Sequence, residues 1–175
     1  YGPNVLLKNN RNGTFTDVTK RANVAGGNEC SVGAVWADYD NDSFLDLYVG
    51  NYLEFDPDYK YYYAPDGFPG PMAYDAQKDI LYHNNGDGTF ANIIAASGID
   101  EFDLGAWENA SGDFNNDGFA DIFSELANRL YLGNGDMTFT GQSLPFTPGA
   151  VGDFNNDGFL DVTYRSQLWI NDGND

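Results

Sequence analysis

The stretch DFNNDGFLD at residues 153–161 is the third copy of a nine-residue motif in this chain. The second copy, DFNNDGFAD, occupies residues 113–121, and the first, DYDNDSFLD, occupies residues 38–46. We call these segments loops 1, 2 and 3 in chain order and number their positions 1 to 9. A motif that returns along a chain indicates a repeat architecture, in which each repeat is one supersecondary unit.

A second unit alternates with the loops and has the pattern of a β-hairpin. Each complete copy has a short apolar run, a turn rich in Asn, Gly and Asp, and then Thr-Phe. Gly and Asn supply the positive φ angles that a tight turn needs. The copies are VLLKNNRNGTF (5–15), ILYHNNGDGTF (80–90), RLYLGNGDMTF (129–139) and the shorter QLWINDGND (167–175). We call the first three hairpins 1, 2 and 3.

Strands are predicted on both sides of each loop. Apolar, partly alternating sequence follows the loops at 44–50, 119–125 and 159–165, and the small-residue runs GAVWA, NASG and GAVG precede them. No segment keeps a helical period, so no helix is expected. Loops 2 and 3 start one blade length apart, at the ~40–50 residues of a four-stranded propeller blade. The prediction is one all-β segment over residues 1–175, with about three to four propeller blades and an aromatic, Pro-rich insertion at 51–77.

The loops have the ligand spacing of a hard-cation site. Oxygen-bearing side chains lie at positions 1, 3, 5 and 9, and a backbone carbonyl at position 7 completes the usual calcium pattern. Position 7 is phenylalanine in every copy, with its carbonyl predicted to face the metal and its side chain free to enter the core. Because the loops contain no histidine or cysteine, zinc and copper are poor candidates, and magnesium would prefer a smaller, wetter site. The predicted ligands are Asp38, Asp40, Asp42, Phe44, Asp46, Asp113, Asn115, Asp117, Phe119, Asp121, Asp153, Asn155, Asp157, Phe159 and Asp161.

The helix-loop-helix calcium motif is the obvious competitor, and it needs glutamate at position 12. Position 12 is Val49, Ser124 and Tyr164 in the three copies, so that motif is excluded. A metal-free network of Asx turns is a second interpretation, since Asp and Asn favour turns in any case. Loop 1 departs from the other two, with Ser43 in place of glycine at position 6 and Asp40 in place of asparagine at position 3.

The net negative charge of the chain limits the kinds of partner that it is expected to bind. With 27 acidic and 8 basic residues, the formal net charge is −19. Nucleic acids and anionic membrane surfaces would repel such a chain, whereas cations would be attracted. No run of eighteen apolar residues is present, so membrane insertion is not expected. One cysteine allows no internal disulfide, and bound metal is a candidate substitute for that source of stability.

The loops and the NNGDGTF hairpin together resemble the FG-GAP/VCBS repeats of integrin-α-like β-propellers. Residues 5–99, with the Tyr- and Pro-rich insertion, are similar to proteins related to cartilage acidic protein. The resemblance implies about three Ca²⁺ ions, one in each loop, and an extracellular, cell-surface or periplasmic location. It also implies about seven blades, so this chain is expected to belong to a longer polypeptide or to close by self-association.

Three functions are compatible with these features. The leading hypothesis is a non-enzymatic calcium-binding module for adhesion or for binding a protein or glycan at the cell surface. The alternatives are a structural scaffold in a cell-surface or filament assembly, and a non-catalytic part of a polysaccharide-acting enzyme. Aromatic residues of the insertion are candidates for ligand contacts, with packing against the chain's own blade as the other interpretation; the candidates are Tyr52, Tyr59, Tyr61, Tyr62 and Tyr63.

An enzyme active site within these residues is not expected. The clustered carboxylates are already assigned as metal ligands, and no nucleophile with a nearby base can be recognised. The single histidine, His83, occupies a strand position in hairpin 2 where the other hairpins have Lys8, Leu132 and Ile170. A surface or packing role is predicted for it.

Overall fold

The computed structural model describes residues 2–54, 56, 58, 74–99, 109–124, 128–145 and 149–173. These residues form antiparallel β-sheets and almost no helix, which confirms the all-β prediction. Within the described residues, the prediction of no helix is wrong for one α-helical turn, α1 (Thr19–Ala22), and one 3₁₀ turn (Ile94–Ala96). Among the described residues, no helix has the length and apolar character needed to span a membrane.

The strands of the described part of the chain form four sheets, in which strands that are neighbours in the chain are neighbours in space. Sheet 1 contains β1 (Leu7–Asn9) and β2 (Phe15–Asp17); sheet 2 contains β3 (Ser31–Ala37), β4 (Asp46–Asn51), β5 (Ile80–Asn84) and β6 (Phe90–Asn92). Sheet 3 contains β7 (Asn109–Gly112), β8 (Asp121–Ser124), β9 (Arg129–Gly133) and β10 (Phe139–Ser143). Sheet 4 contains β11 (Val151–Gly152), β12 (Asp161–Tyr164) and β13 (Gln167–Trp169).

Each sheet from 2 to 4 uses the same order of sequence units. A strand of small residues leads into an aspartate loop, the loop leads into the second strand, and the hairpin motif supplies the third. The second strands begin at position 9 of the loops, two residues later than the sequence pattern suggested, because positions 1 to 8 fold as turns. Hairpins 1, 2 and 3 form β1–β2, β5–β6 and β9–β10 as predicted.

Sheet 2 is covered on both faces, which explains why every residue of β4 is buried. Alternate side chains of a strand point to opposite faces. Tyr48 and Leu81 therefore belong to one core cluster, shared with Ile122 and Tyr131 of sheet 3, whereas Leu47 belongs to another. That second cluster joins sheet 2 to α1 and the segment before β1. Full burial of each such side chain contributes about 1.5–3 kcal/mol to the free energy of folding.

The predicted insertion lies mostly outside the described residues. Asn51, its first residue, is the buried end of β4. Tyr52 is partly buried, and its backbone N–H donates to the carbonyl of Cys30 at 2.9 Å. A bridge between Leu53 and Ala76 closes the base of the insertion. The other ligand candidates lie outside the described residues: Tyr59, Tyr61, Tyr62 and Tyr63.

Candidate metal-binding loops

The three loops share one hydrogen-bond pattern around position 1. The two carboxylate oxygens of this aspartate accept the backbone N–H groups of positions 5 and 6. The distances to positions 5 and 6 are 3.0 and 2.8 Å in loop 1, 3.1 and 2.9 Å in loop 2, and 3.0 and 2.9 Å in loop 3. The chain therefore wraps around its first carboxylate in all three copies, and the repeat in the sequence is a repeat in geometry.

The side chains at positions 3 and 5 complete this wrap. The oxygen at position 3 also accepts the N–H of position 5, at 3.3 Å in loop 1, 3.1 Å in loop 2 and 3.0 Å in loop 3. The carboxylate at position 5 in turn accepts the N–H of the phenylalanine at position 7, at 2.8 to 2.9 Å. Positions 1, 3 and 5 thus bring their oxygens to the same short arc of backbone.

The turn depends on left-handed backbone at positions 4 and 6. Asn41, Asn116 and Asn156 occupy position 4 with φ between 58° and 62°. Position 6 has φ of 92° in loop 2 and 95° in loop 3, where it is glycine, but 74° in loop 1, where it is Ser43. Asparagine tolerates this conformation better than most residues and glycine adopts it freely, whereas serine is strained there.

The aspartate at position 9 has a role that the sequence did not reveal. Asp46, Asp121 and Asp161 are all fully buried. One oxygen of each accepts the N–H of position 2 in its own loop, at 3.1, 2.8 and 2.8 Å. The other oxygen accepts a backbone N–H from the following hairpin unit, at 2.8, 2.8 and 2.9 Å; the donors are Asn84, Gly133 and Asn171. Position 9 therefore fastens each loop to the hairpin motif that follows it.

Burial raises the pKa of two of these aspartates, Asp121 and Asp46. Removal from water raises the pKa of Asp121 to about 6, although the N–H groups of Gly133 and Phe114 act in the opposite direction. The charges of Asp117 and Asp113 raise it further. Burial likewise raises the pKa of Asp46, against the lowering effect of its amide partners. A bound cation would favour the ionised form of both carboxyl groups.

Loop 1 gathers more negative charge than the other loops. Among the described residues, two groups of three acidic or histidine side chains have ligand atoms that all lie within 4.8 Å of one another, and both groups are at loop 1. The groups are Asp38, Asp40 and Asp46, and Asp40, Asp42 and His83. In loops 2 and 3 an asparagine replaces the carboxylate at position 3, and its amide nitrogen donates to position 5 at 2.8 and 2.7 Å.

His83, for which a surface or packing role was predicted, also contacts the carboxylates of loop 1. Its Nδ1 lies 3.2 Å from a carboxylate oxygen of Asp46 and 3.6 Å from one of Asp40. His83 precedes Asn84, whose N–H bonds to Asp46, so the register of β5 brings the imidazole beside loop 1. This contact between the imidazole and loop 1 was not indicated by the sequence, because the matching positions of the other hairpin motifs hold Lys8, Leu132 and Ile170.

The position 7 side chains also differ from the prediction. Phe44 is 46% exposed, and none of the three phenylalanines belongs to a core cluster. Each ring instead covers the first turn glycine of the following hairpin motif: a Cβ atom on Gly86 would lie 2.8 Å from the Phe44 ring. Gly135 meets Phe119, and Gly173 meets Phe159, in the same way. The turn glycines are therefore required by the close approach of an aromatic ring.

The donor set of the loops suits a hard divalent cation. Positions 1, 3, 5 and 9 offer carboxylate and amide oxygens, which are the ligands that hard divalent cations prefer, and position 7 adds a carbonyl. Loop 1 brings three carboxylates within reach of one ion, and loops 2 and 3 repeat its backbone geometry. The acidic cluster could hold a metal ion; the ligand assignments of individual residues stay predictions.

Comparison with protein families agrees with the repeat. The model for an FG-GAP-like repeat matches residues 1–49 and 72–124, which is more than half of the chain and includes loops 1 and 2. No curated protein matches the chain. The gap between the two matched ranges, residues 50–71, overlaps the segment 51–77 that the sequence indicated as an insertion. With its alternating loops and hairpins, the chain belongs to the family of FG-GAP-like repeat proteins.

Proposed function

We propose that this chain is a non-enzymatic, calcium-binding β-propeller segment that acts in binding or adhesion outside the cytoplasm. The observation that carries the proposal is the common geometry of the three loops, which place the same oxygen set on the same backbone wrap. Sheets 2 and 3, with four antiparallel strands in chain order, have the topology of propeller blades. Extracytoplasmic calcium is plentiful enough to fill sites of moderate affinity.

Calcium would supply two positive charges to each group of converging carboxylates. The side chains of the loop would then hold the structure together. The aspartate at position 1 wraps the loop, the aspartate at position 9 fastens it to the hairpin motif, and the phenylalanine at position 7 covers the hairpin turn. Because a ligand that binds only the folded state stabilises it by mass action, each site adds about 4 kcal/mol at a thousandfold excess over its Kd. The protein becomes a rigid support for whatever it binds.

The test is a thermal melt in chelator, in millimolar calcium and in millimolar magnesium. We expect calcium to raise Tm by many degrees, reversibly, and magnesium to do much less. The matched control replaces position 5 in every loop, Asp42→Asn, Asp117→Asn and Asp157→Asn, since Asn keeps an oxygen for the N–H of position 7. This variant should lose the calcium response. Its own melt in chelator is the baseline, because Asn at position 5 also removes a charge and the oxygen that accepts the side-chain amide of Asn115 or Asn155. Equal melts of the unaltered protein in calcium and chelator would overturn the proposal.

The binding role needs a separate measurement. A glycan array and a cell-adhesion assay, each with calcium and with chelator, would compare the unaltered chain with the variant Tyr61→Ala, Tyr62→Ala, Tyr63→Ala. Calcium-dependent binding that this variant loses supports a ligand-binding module. No binding by a well-folded, calcium-loaded sample favours the scaffold alternative.

A further inference from the structure

Loops 1 and 2 belong to different sheets, yet two hydrogen bonds connect the segments that carry them. The side-chain amide of Asn41, at position 4 of loop 1, donates to the carbonyl of Gly118, at position 6 of loop 2, with Nδ2 to O of 3.2 Å. The hydroxyl of Tyr39, at position 2 of loop 1, lies 2.9 Å from Oγ of Ser111 in β7. Direct contact between two candidate metal sites is therefore built into the fold.

The direction of the second bond follows from the hydroxyl protons. Ser111 donates its only hydroxyl proton to the carbonyl of Asp121 at 2.6 Å, so Tyr39 must donate to Ser111. Tyr39 is 1% exposed, and its ring meets Phe139 edge to face at 5.4 Å. Burial raises the pKa of Tyr39 well above its usual range, so this hydroxyl keeps its proton.

Both bonds end on groups that shape the candidate sites. The backbone N–H of Tyr39 donates to Asp46 of loop 1 at 3.1 Å, and its hydroxyl reaches Asp121 of loop 2 through Ser111. Gly118 donates its own N–H to Asp113 and precedes Phe119, whose carbonyl is a predicted ligand. Tyr39 thus connects the two buried position 9 aspartates, and Asn41 holds the peptide group next to a ligand of loop 2.

Loop 3 is connected differently. Its position 2 is Phe154, which has no hydroxyl. A hydrogen bond joins this part of the chain to loop 2: the side-chain amide of Asn171 donates to the carbonyl of Phe114 at 3.0 Å. The pair of contacts that starts from positions 2 and 4 is a property of loop 1, where position 2 is tyrosine.

We propose that loops 1 and 2 bind their metal ions cooperatively, with Tyr39 and Asn41 as the residues that couple them. The inference rests on the proposed function, because it requires that both loops bind metal. An ion in loop 1 restrains the predicted ligands on either side of Tyr39 and Asn41, so the hydrogen bonds of these two residues hold the backbone around Asp121 and Gly118 more firmly. The second ion then meets a loop that is already ordered, so less conformational entropy is lost on its binding. By linkage, an ion in loop 2 raises the affinity of loop 1 by the same factor.

Amide NMR of the full chain during a calcium titration gives one reporter for each loop. The N–H groups of Ser43, Gly118 and Gly158 all donate to position 1 of their loops, so each signal follows its own site. We expect the signals of loops 1 and 2 to shift together and with a Hill coefficient above 1. Asp117→Asn, which weakens loop 2, should lower the affinity of loop 1 by roughly fivefold or more.

Two variants remove the coupling while leaving the predicted ligands in place. Tyr39→Phe deletes one buried hydroxyl, and Asn41→Gly deletes the side-chain amide while tolerating the φ of 59° at that position. In either, loops 1 and 2 should titrate separately, and Asp117→Asn should no longer affect loop 1. The matched controls are Tyr82→Phe, a buried tyrosine bonded to the backbone of Gly26, and Asn116→Gly, with φ of 58°; both should keep the coupling.

The outcomes separate this inference from the function on which it rests. If no loop signal shifts with calcium, the proposed function fails and the coupling fails with it. If all three signals shift along independent hyperbolic curves in the unaltered chain, the loops bind calcium and the coupling is refuted. Coupling that survives both Tyr39→Phe and Asn41→Gly would refute the assignment to these two residues.

Discussion

At the scale of single residues, position 6 of the loops shows how a backbone angle selects an amino acid. Gly118 and Gly158 have φ near 90°, and Ser43 adopts φ of 74° at the matching place. A Cβ atom on Gly118 or Gly158 would meet no atom within 4 Å. The preference for glycine there is thus a matter of backbone conformation and not of space, which makes the position a clean test of left-handed strain.

Exchanging serine and glycine at position 6 should raise the free energy of unfolding in loop 1 and lower it in loop 3. Ser43→Gly relieves strain of about 1–2 kcal/mol, and the greater freedom of glycine in the unfolded chain offsets part of this. We expect the free energy of unfolding to rise by about 0.5–1 kcal/mol for Ser43→Gly and to fall by a similar amount for Gly158→Ser. Urea unfolding in chelator measures both. Changes of the same sign in the two variants would show that contacts, and not φ, decide the position.

A second residue-scale prediction concerns an unpaired hydroxyl. Ser124 in β8 is 1% exposed, and its Oγ has no hydrogen-bond partner among the described residues. Burying a polar group without a partner is costly, so Ser124→Ala should raise the free energy of unfolding by about 1 kcal/mol. The control is Ser97→Ala, since Ser97 is equally buried but bonds to Ile94 and Ile99; it should lose about 1–2 kcal/mol. Thermal or urea unfolding of the two variants decides the matter.

At the scale of elements, the unit of this fold is a loop together with the hairpin motif that follows it. The position 9 aspartate and the position 7 ring both end on that motif, one on a backbone N–H and the other on a turn glycine. Hairpin turns repeat with equal fidelity: in hairpins 2 and 3 an aspartate accepts both the N–H and the hydroxyl of Thr89 or Thr138. Repetition in the sequence therefore reflects repeated contacts between elements.

Because the ring of Phe119 contacts the turn glycine Gly135, adding one methyl group at Gly135 should greatly lower the free energy of unfolding. In Gly135→Ala the new Cβ would collide with the ring of Phe119, at a φ of 77° that alanine also disfavours. We expect a loss of about 2–4 kcal/mol in the free energy of unfolding, from overpacking and backbone strain together. Gly13→Ala, with φ of 85° and no atom within 4 Å of the new Cβ, isolates the strain and should lose only about 1 kcal/mol. Equal losses in the two variants would contradict the packing role of Phe119.

The sequence was sufficient for some of these elements and insufficient for others. The apolar runs, the turn residues and the loop spacing predicted the hairpins and the strands beside the loops, because these depend on local chemistry. The partners of position 9 could not be predicted, since Asn84, Gly133 and Asn171 contribute a backbone N–H that no side chain reveals. The contact of His83 with loop 1 was missed for a related reason, as it depends on the register of β4 and β5.

At the scale of the whole molecule, negative charge is concentrated where the sheets turn. The formal charge is −19, and each loop contributes three or four carboxylates to a small volume. A single-sign field of this size destabilises a compact chain through self-repulsion. Cations that neutralise the loops would relieve this repulsion for all sheets at once, and the same charge would draw cations towards the protein.

Acid should stabilise the metal-free protein over one range of pH. The pKa of Asp121 is about 6 in the folded state and near 3.8 without burial. Between these values the folded chain binds the proton more tightly, so stability rises as pH falls from above 6 towards 4. Urea midpoints in chelator should thus be higher at pH 5 than at pH 7.5, and Asp121→Asn should reduce that difference. With calcium present the trend should reverse, because protons compete with the ion; a midpoint in chelator that falls on acidification would refute the assignment.

The attachment of each loop to its hairpin motif limits how repeats of this kind can be exchanged between proteins. A crossover placed inside β4 would separate Phe44 and Asp46 from Gly86 and Asn84, and the chimera would have to recreate both fits with foreign partners. A crossover in the segment before β3 or after β6 moves the matched set intact. Chimeric arrays, and gene duplications that survive, should therefore have their junctions between hairpin and small-residue strand.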